Sequence, residues 1–302
     1  MAKNAPRSAS LWSRATRTGK PAMPGIDLHI HSTASDGLLS PSEVVRVALS
    51  LGLTHIALCD HDSVDGVSEA IDAARNTTLV VVPGVELSAG TRDEGVHILG
   101  YFIDHDDAQL RTRLSSLRDI RAERARKLIA LLEGGGISIG FEEVLDQAAG
   151  GSVGRAHVAH LLVRRGYATS VRDAFDRMLG EGRPFYVPKP VHSPADVIGW
   201  VRDAGGVAVL AHPALSRADG LVRDLKAAGL VGIEAYHGDH DDTLRDHYAR
   251  MAGRHGLIVT GGSDFHGVGA GGHPIGSAHV PPHVYDDLVA ASVRASAGTD
   301  RA

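Results

Sequence analysis

Six short apolar runs in this chain end in, or run straight into, a side chain able to bind a metal ion, and the segments between them carry the marks of helices. The runs close at Asp27-Leu28-His29-Ile30-His31, Cys59-Asp60-His61-Asp62, Gly84-Val85-Glu86, Gly95-Val96-His97, Leu210-Ala211-His212-Pro213 and Ser263-Asp264-Phe265-His266. This rhythm leaves few folds open, because ligands spread over six strand ends act together only where those ends converge. Parallel strands joined by helices achieve that: their carboxyl ends face one mouth. Side chains alternate faces along a strand, so His29 and His31 point the same way, close enough to grip one ion.

Local signals place the connecting helices. Ser40-Pro41-Ser42-Glu43 is a capping box with proline in the first turn; Val44, Val47, Ala48 and Leu51 form the apolar face, and Gly52 is the stop. Strands are expected over 54–58, 79–82 and 96–102, with a helix over 66–75. From Leu110 the pattern changes: Leu110, Leu114, Leu117, Ile120, Leu128 and Leu131 recur at helical spacing as far as Gly134-Gly135-Gly136. Shorter helices are expected over 142–149, 154–165 and 171–179. Alternation resumes with a helix opened by Ser193-Pro194, strands over 207–211, 231–236 and 257–260, and helices over 219–228 and 242–255. The reading is an α/β chain with a parallel sheet, closed or open, built from residues 26–110 and 191–290, with residues 111–190 a mostly helical insertion.

Composition agrees with such a core. Of the 302 residues 43% are hydrophobic but only 4% aromatic, the aliphatic bias of a sheet buried on both faces. The single cysteine, Cys59, excludes an intramolecular disulfide and suits a reducing compartment, so a cytoplasmic location is expected. It ends a buried run, which argues against a thiol nucleophile. No stretch approaches the roughly 18 apolar residues of a membrane span. Residues 1–25 carry Lys3, Arg7, Arg14, Arg17 and Lys20 without an acid and without the apolar centre of a secretory signal, and are expected to form a disordered basic tail. Net charge is −5, yet residues 111–190 hold twelve Arg and two Lys against nine acids. Arg113, Arg121 and Arg124 read as solvated helix surface. A basic module beside an acidic centre nonetheless suits an anionic substrate held between the two.

The candidate ligands are His29, His31, Asp36, His61, Glu86, His97, His212, Asp264 and His266. Nine groups exceed one tetrahedral site and point to two or three divalent ions, with Mn, Zn and Fe all compatible with mixed imidazole and carboxylate donors. As a set, His29-x-His31 with Asp36-Gly37, the Asp60-His61-Asp62 step, His212-Pro213 paired with Glu86, and Ser263-Asp264-Phe265-His266 resemble the PHP (polymerase and histidinol phosphatase) domain family of the amidohydrolase superfamily, over about residues 26–280. The resemblance implies a distorted seven-stranded β/α barrel with a trinuclear centre. By likeness, His29, His31, Glu86 and Asp264 hold one ion; Glu86, His97 and His212 a second, bridged by Glu86; and Asp36, His61 and His266 a third.

Within the family the chain looks most like small stand-alone phosphoesterases that carry a helical insertion. Gly154-Arg155-Ala156-His157 and Tyr186-Val187-Pro188-Lys189 resemble the motifs that supply phosphate-binding cations there, which nominates Arg155 and Lys189. Tyr236-His237-Gly238-Asp239-His240 follows another strand and adds His237 and His240 as substrate contacts, His237 also as a proton donor to the leaving oxygen. Glu86 and Asp264 are the catalytic carboxylates. The expected activity is phosphoester hydrolysis by a metal-activated hydroxide. The expected substrate is a small nucleotide or sugar phosphate, such as a nucleoside 3′,5′-bisphosphate or a cyclic phosphodiester. The alternatives are a 5′-to-3′ exoribonuclease acting on short oligonucleotides, with short RNA or DNA fragments as partners, a histidinol phosphatase, and a metal-binding module without catalysis. No membrane and no obligatory protein partner is expected.

Overall fold

The strands of the core run from four to twelve residues, and the computed structural model shows how they assemble; it describes residues 25–91, 94–148, 150–188, 192–267 and 273–299. The order is β1 (Ile26–Ile30), α1 (Pro41–Ser50), β2 (His55–Leu58), α2 (Val67–Ala74), β3 (Val80–Thr91) and β4 (Glu94–Tyr101), then α3 (Ala108–Gly134), α4 (Phe141–Ala148), α5 (Arg155–Arg164) and α6 (Val171–Ala174). The last runs into a π turn at Phe175–Leu179. Then come α7 (Pro194–Asp203), β5 (Val207–Leu210), α8 (Pro213–Ser216), α9 (Val222–Ala227), β6 (Gly232–His237), α10 (Asp242–His255), β7 (Ile258–Gly262) and α11 (His283–Thr299). The capping box at Ser40 is formed in full, and Asp107, Ser193 and Asp241 cap α3, α7 and α10 through their side chains. Helix α11 lies beyond any helix read from the sequence. The expected basic tail falls on residues 1–24, outside the described residues, apart from Gly25.

The seven strands form one sheet in sequence order, and α/β barrel geometry is the outcome. The expectation of a wholly parallel sheet needs correction: β4 runs antiparallel to both β3 and β5, while the other neighbours are parallel. The connection between β3 and β4 is too short for a crossover, and only antiparallel strands can be joined that way. For the same reason β3 continues well past the expected residue 82, its second half forming a ribbon with β4. The Phe185–Val187 stretch is loop.

The barrel closes between β1 and the segment after β7. Asp264 N–H donates to the His29 carbonyl at 2.9 Å and His31 N–H to that of Phe265 at 2.9 Å. The approach is tight at Gly262, where a Cβ would stand 2.3 Å from the His29 Cβ. Cys59 is buried, with Sγ 3.6 Å from the Leu28 carbonyl, and burial pushes its thiol pKa up, as an inert structural cysteine requires.

Residues 108–188 contain helices and no strand among the described residues, and pack around their own cluster, including Leu128, Leu132, Val144, Val158, Leu161 and Leu179. Helix α3 belongs to both bodies. Its first turns bury Leu110, Leu114 and Leu117 in the barrel core, and its later turns bury Leu128 and Leu132 in the insertion core. No helix of the described residues is long and apolar enough to cross a membrane.

Because the barrel closes only where Gly262 lacks a side chain, Gly262→Ala should destabilise the protein by about 1–3 kcal/mol through overpacking. Urea unfolding at constant m-value checks this; a change below about 0.5 kcal/mol, the size of an ordinary surface substitution, would contradict the tight closure.

Candidate metal centre

The strand ends deliver the expected ligands to one point. His29 and His31 leave β1 side by side with Nε2 atoms 3.1 Å apart, facing Asp264 from the segment after β7 and Glu86 from β3. His29 Nε2 is 3.4 Å from Glu86 Oε2 and 3.4 Å from Asp264 Oδ1, and His31 Nε2 is 3.2 and 3.0 Å from the same two oxygens. Four donors bound tetrahedrally at about 2.0–2.2 Å stand about 3.4 Å from one another, so these distances are close to the edges of such a cage. The other Glu86 oxygen, Oε1, meets His97 Nδ1 at 2.6 Å and His212 Nε2 at 2.9 Å. A further group gathers His31, Asp36, His61 and His266, with His266 Nε2 3.3 Å from Asp36 Oδ1 and His61 Nε2 4.0 Å from Asp36 Oδ2. His61 spans two groups, since its Nδ1 lies 3.0 Å from Glu86 Oε2.

The donor set fits metal ions. Glu86 Oε2, Asp36 Oδ1, Asp264 Oδ1 and the Nδ1 atoms of His31, His61 and His212 are buried without a well-formed hydrogen bond, although some of them lie close to one another. Buried polar atoms of that kind are costly unless something binds them. Burial alone would raise the Glu86 carboxyl, but His61, His97 and His29 hold it well below the usual carboxylate range. Asp264 and Asp36 behave likewise, burial being outweighed by His29 and His266 for the one and by His61 and His266 for the other. Such lowering favours the ionised carboxylate, the form that binds a metal ion.

Neighbouring acids aim the ligands. Glu234, fully buried in β6, contacts His29 Nδ1 at 3.1 Å and accepts the His212 backbone N–H at 2.8 Å. Sequence reasoning missed it; the available signal is a lone carboxylate inside the apolar run Gly232-Ile233-Glu234-Ala235. Asp60 is no ligand of the cluster: it accepts Ser32 N–H at 2.8 Å, Ser32 Oγ–H at 2.7 Å and Ser35 Oγ–H at 2.6 Å, shaping the loop that carries Asp36. Asp62, His212 and Asp264 adopt positive φ of 50°, 23° and 53°, strained backbone at the points where strands turn into the mouth.

A cavity of about 510 Å³ opens over the cluster. Asp36, His61, His97, His212 and Asp264 line one side; Arg121, Arg124, Arg155, Phe175 and Tyr186 of the helical segment line the other. Arg121 and Arg124 are therefore not solvated helix surface, as the helical spacing alone had suggested. Arg121 is 12% exposed and paired with Asp62, and Arg124 Nε donates to the Val187 carbonyl at 2.7 Å. Burial, then the nearness of Arg155, disfavours the charge of Arg124. Arg155 stacks over Phe175 at 5.3 Å and donates one bond, at 3.3 Å, to the Leu179 carbonyl. Lys189 lies outside the described residues.

His237 and His240 do not line the cavity. His237 is fully buried: its Nδ1 accepts the Asp239 N–H at 3.1 Å, and its Nε2 lies 3.5 Å from Asp264 Oδ2. It backs the cluster behind Asp264. The ring of His240 turns inward, Nδ1 against the Ala235 carbonyl at 2.9 Å, so the contact to substrate expected of it has no place in this geometry.

A β/α barrel whose strand ends gather imidazoles and carboxylates under a cationic wall defines a metal-dependent hydrolase of phosphate esters. The PHP domain is matched over residues 27–181, and the chain belongs to the PHP domain family. It is 39% identical over 267 residues to a 3′,5′-nucleoside bisphosphate phosphatase of Chromobacterium violaceum, covering 86% of this chain and 94% of that one. It is 36% identical to a 5′-3′ exoribonuclease of Haemophilus influenzae, covering 80% and 89%. Among solved structures, a protein of Bifidobacterium adolescentis assigned to the metal-dependent phosphoesterases superposes with a TM-score of 0.82 at 30% identity, over 90% of this chain and 98% of that one. The protein is a metal-dependent phosphoric ester hydrolase.

Protein purified without chelator should carry more than one transition-metal ion per chain by elemental analysis, and full activity at one ion or fewer would contradict the clustered site. Glu234→Gln, which removes the charge behind His29, should weaken metal retention by about 10–100-fold in a chelator competition while leaving the fold intact.

Proposed function

We propose that the protein hydrolyses a phosphate ester of a small nucleotide or sugar phosphate bearing a second anionic group, a nucleoside 3′,5′-bisphosphate being the leading substrate. The supporting observation is the cavity itself, with metal-ligand side chains on one wall and Arg124 and Arg155 on the opposite one. Its volume of about 510 Å³ suits a single small molecule. Among the described residues neither Arg124 nor Arg155 forms an ion pair with a carboxylate, Glu181 acting on Arg155 only as a nearby charge, so a bound phosphate would give these half-buried cations a direct partner. The names of the relatives, a bisphosphate phosphatase and an exoribonuclease, agree with a nucleotide.

We read these nine residues as a site for three divalent ions: His29, His31, Glu86 and Asp264 would hold one, Glu86, His97 and His212 a second, and Asp36, His61 and His266 the third. Bound metal ions of this kind supply an activated water near neutral pH and neutralise the phosphoryl oxygens. The rest falls to the chain. Asp264 and Glu86, kept ionised by their imidazoles, fix the reacting face of the site. His237 acts through Asp264: with Nδ1 accepting a backbone N–H, the ring proton sits on Nε2 and faces Asp264 Oδ2. Arg155 and Arg124 anchor the non-reacting anion, Lys189 is proposed to join them, and the insertion covers the mouth and limits water. Phe175 and Tyr186 offer rings beside that anchor.

Arg155→Ala should lower kcat/KM for a bisphosphate by about 10-fold or more, the loss of one charge-assisted contact, with metal content unchanged. Loss of metal in that variant, or full efficiency, would remove Arg155 from the substrate site. Comparing a nucleoside bisphosphate with a ten-nucleotide RNA of the same 5′ end at several salt concentrations tests substrate size. A shallow salt slope, set by about one to three phosphates, and no preference for length are expected. A 100-fold preference for the ten-mer would transfer the assignment to an exoribonuclease.

A further inference from the structure

Arg121 stands where α3 leaves the barrel core and enters the insertion core, between Leu117 and Ala125. Its guanidinium turns down onto the barrel. Arg121 Nε is bonded to Asp62 Oδ2, and Nη2 donates to Ser88 Oγ at 2.8 Å. Asp62 in turn accepts the Ser88 N–H at 2.8 Å and the Ser88 hydroxyl at 3.1 Å. The three side chains form a closed ring of hydrogen bonds that ties an insertion helix to two strand ends.

Those two ends carry candidate ligands. Asp62 follows His61 directly, and Ser88 stands two residues after Glu86, on the same face of β3. The backbones are already stitched there, Asp62 N–H to the Glu86 carbonyl at 2.9 Å and Glu86 N–H to that of Asp60 at 3.2 Å. Asp62 is fully buried and holds φ of 50°, a backbone state that persists only where its surroundings impose it. Removing the guanidinium would take away the ion pair that Arg121 makes with this buried carboxylate, next to His61.

We propose that Arg121 is a positioning residue of the metal centre: through Asp62 and Ser88 it fixes the strand ends bearing His61 and Glu86, so that seating the insertion on the barrel and retaining metal become one coupled process. This rests on the reading of His61 and Glu86 as metal ligands. The competing role is direct contact with the substrate anion, since Arg121 also borders the cavity. With Nε and Nη2 engaged below, only its remaining edge faces that space.

The test is calorimetric titration of Mn(II) into metal-stripped full-length protein, alongside kinetics at saturating Mn(II), for Arg121→Gln, Arg121→Lys, Asp62→Asn and the Arg121→Gln/Asp62→Asn double variant. Arg121→Gln and Asp62→Asn should each weaken at least one Mn(II) site by about 10–100-fold, the range typical of groups that orient ligands. The double variant should bind Mn(II) within about 3-fold of the weaker single variant, because the two residues act through one contact. Arg121→Lys should recover part of the affinity, and KM for a nucleoside bisphosphate should change by less than about 3-fold. Unchanged Mn(II) affinity with a raised KM would overturn the proposal and make Arg121 a substrate ligand. If Arg121→Gln fails to fold by circular dichroism, Ser88→Ala carries the same test: it opens the ring without baring a charge, and unaltered Mn(II) affinity there overturns the proposal. Failure of the unaltered protein to bind Mn(II) at more than one site would overturn both this inference and the metal reading beneath it.

Discussion

The structure depends on a buried carboxylate. Glu86 is completely enclosed, and a charge so placed is stable only where other groups surround and compensate it. Five histidines from four other strand ends do so: His29 and His31 from β1, His61 from the end of β2, His97 from β4 and His212 from the end of β5. Convergence of that kind demands a barrel whose strands end on a common rim. The short β strands, the glycine at the β1–β7 seam and the antiparallel β4 are all means of bringing imidazoles within reach of one side chain.

Around this core lies a ring of acids that never face the cavity. Glu234 aims His29, Asp60 shapes the loop of Asp36, Asp62 anchors the step that bears His61, and Asp27 accepts the N–H groups of Ser263 at 2.8 Å and Gly276 at 2.7 Å. Burial raises the Asp27 carboxyl, the hydrogen bonds only partly offsetting it. Positive φ at Asp62, His212 and Asp264 shows that the rim is held in conformations the residues would not choose alone. Ligand geometry is thus bought with strain and buried polarity, both supported by the aliphatic barrel beneath.

The helical segment adds the opposite electrostatic face. Three of its arginines, Arg121, Arg124 and Arg155, are largely withdrawn from solvent and border the cavity, and the phenol and phenyl rings of Tyr186 and Phe175 back the last two. A cationic wall facing an imidazole- and carboxylate-rich floor agrees with the proposed substrate, which carries an anion at one end and metal-binding oxygens at the other.

What could be read from the sequence is what depends on near neighbours. The shared face of His29 and His31 follows from the period of a strand, the start of α1 from four consecutive residues, and the buried Cys59 from its apolar run. The barrel class and the hydrolase reading followed from the repetition of such local signs, together with family likeness. The direction of β4 did not, because an apolar run reads the same either way along a sheet. Nor did Glu234 or Arg121 show themselves: Glu234 meets His29 across 205 residues and Arg121 meets Asp62 across 59. A charged residue on a helix looks like surface until the chain folds back to bury it. Periodicity reports which side of an element is apolar, whereas the partner of a buried charge is decided only when distant segments close on one another, since desolvation and pairing exist only in the assembled fold.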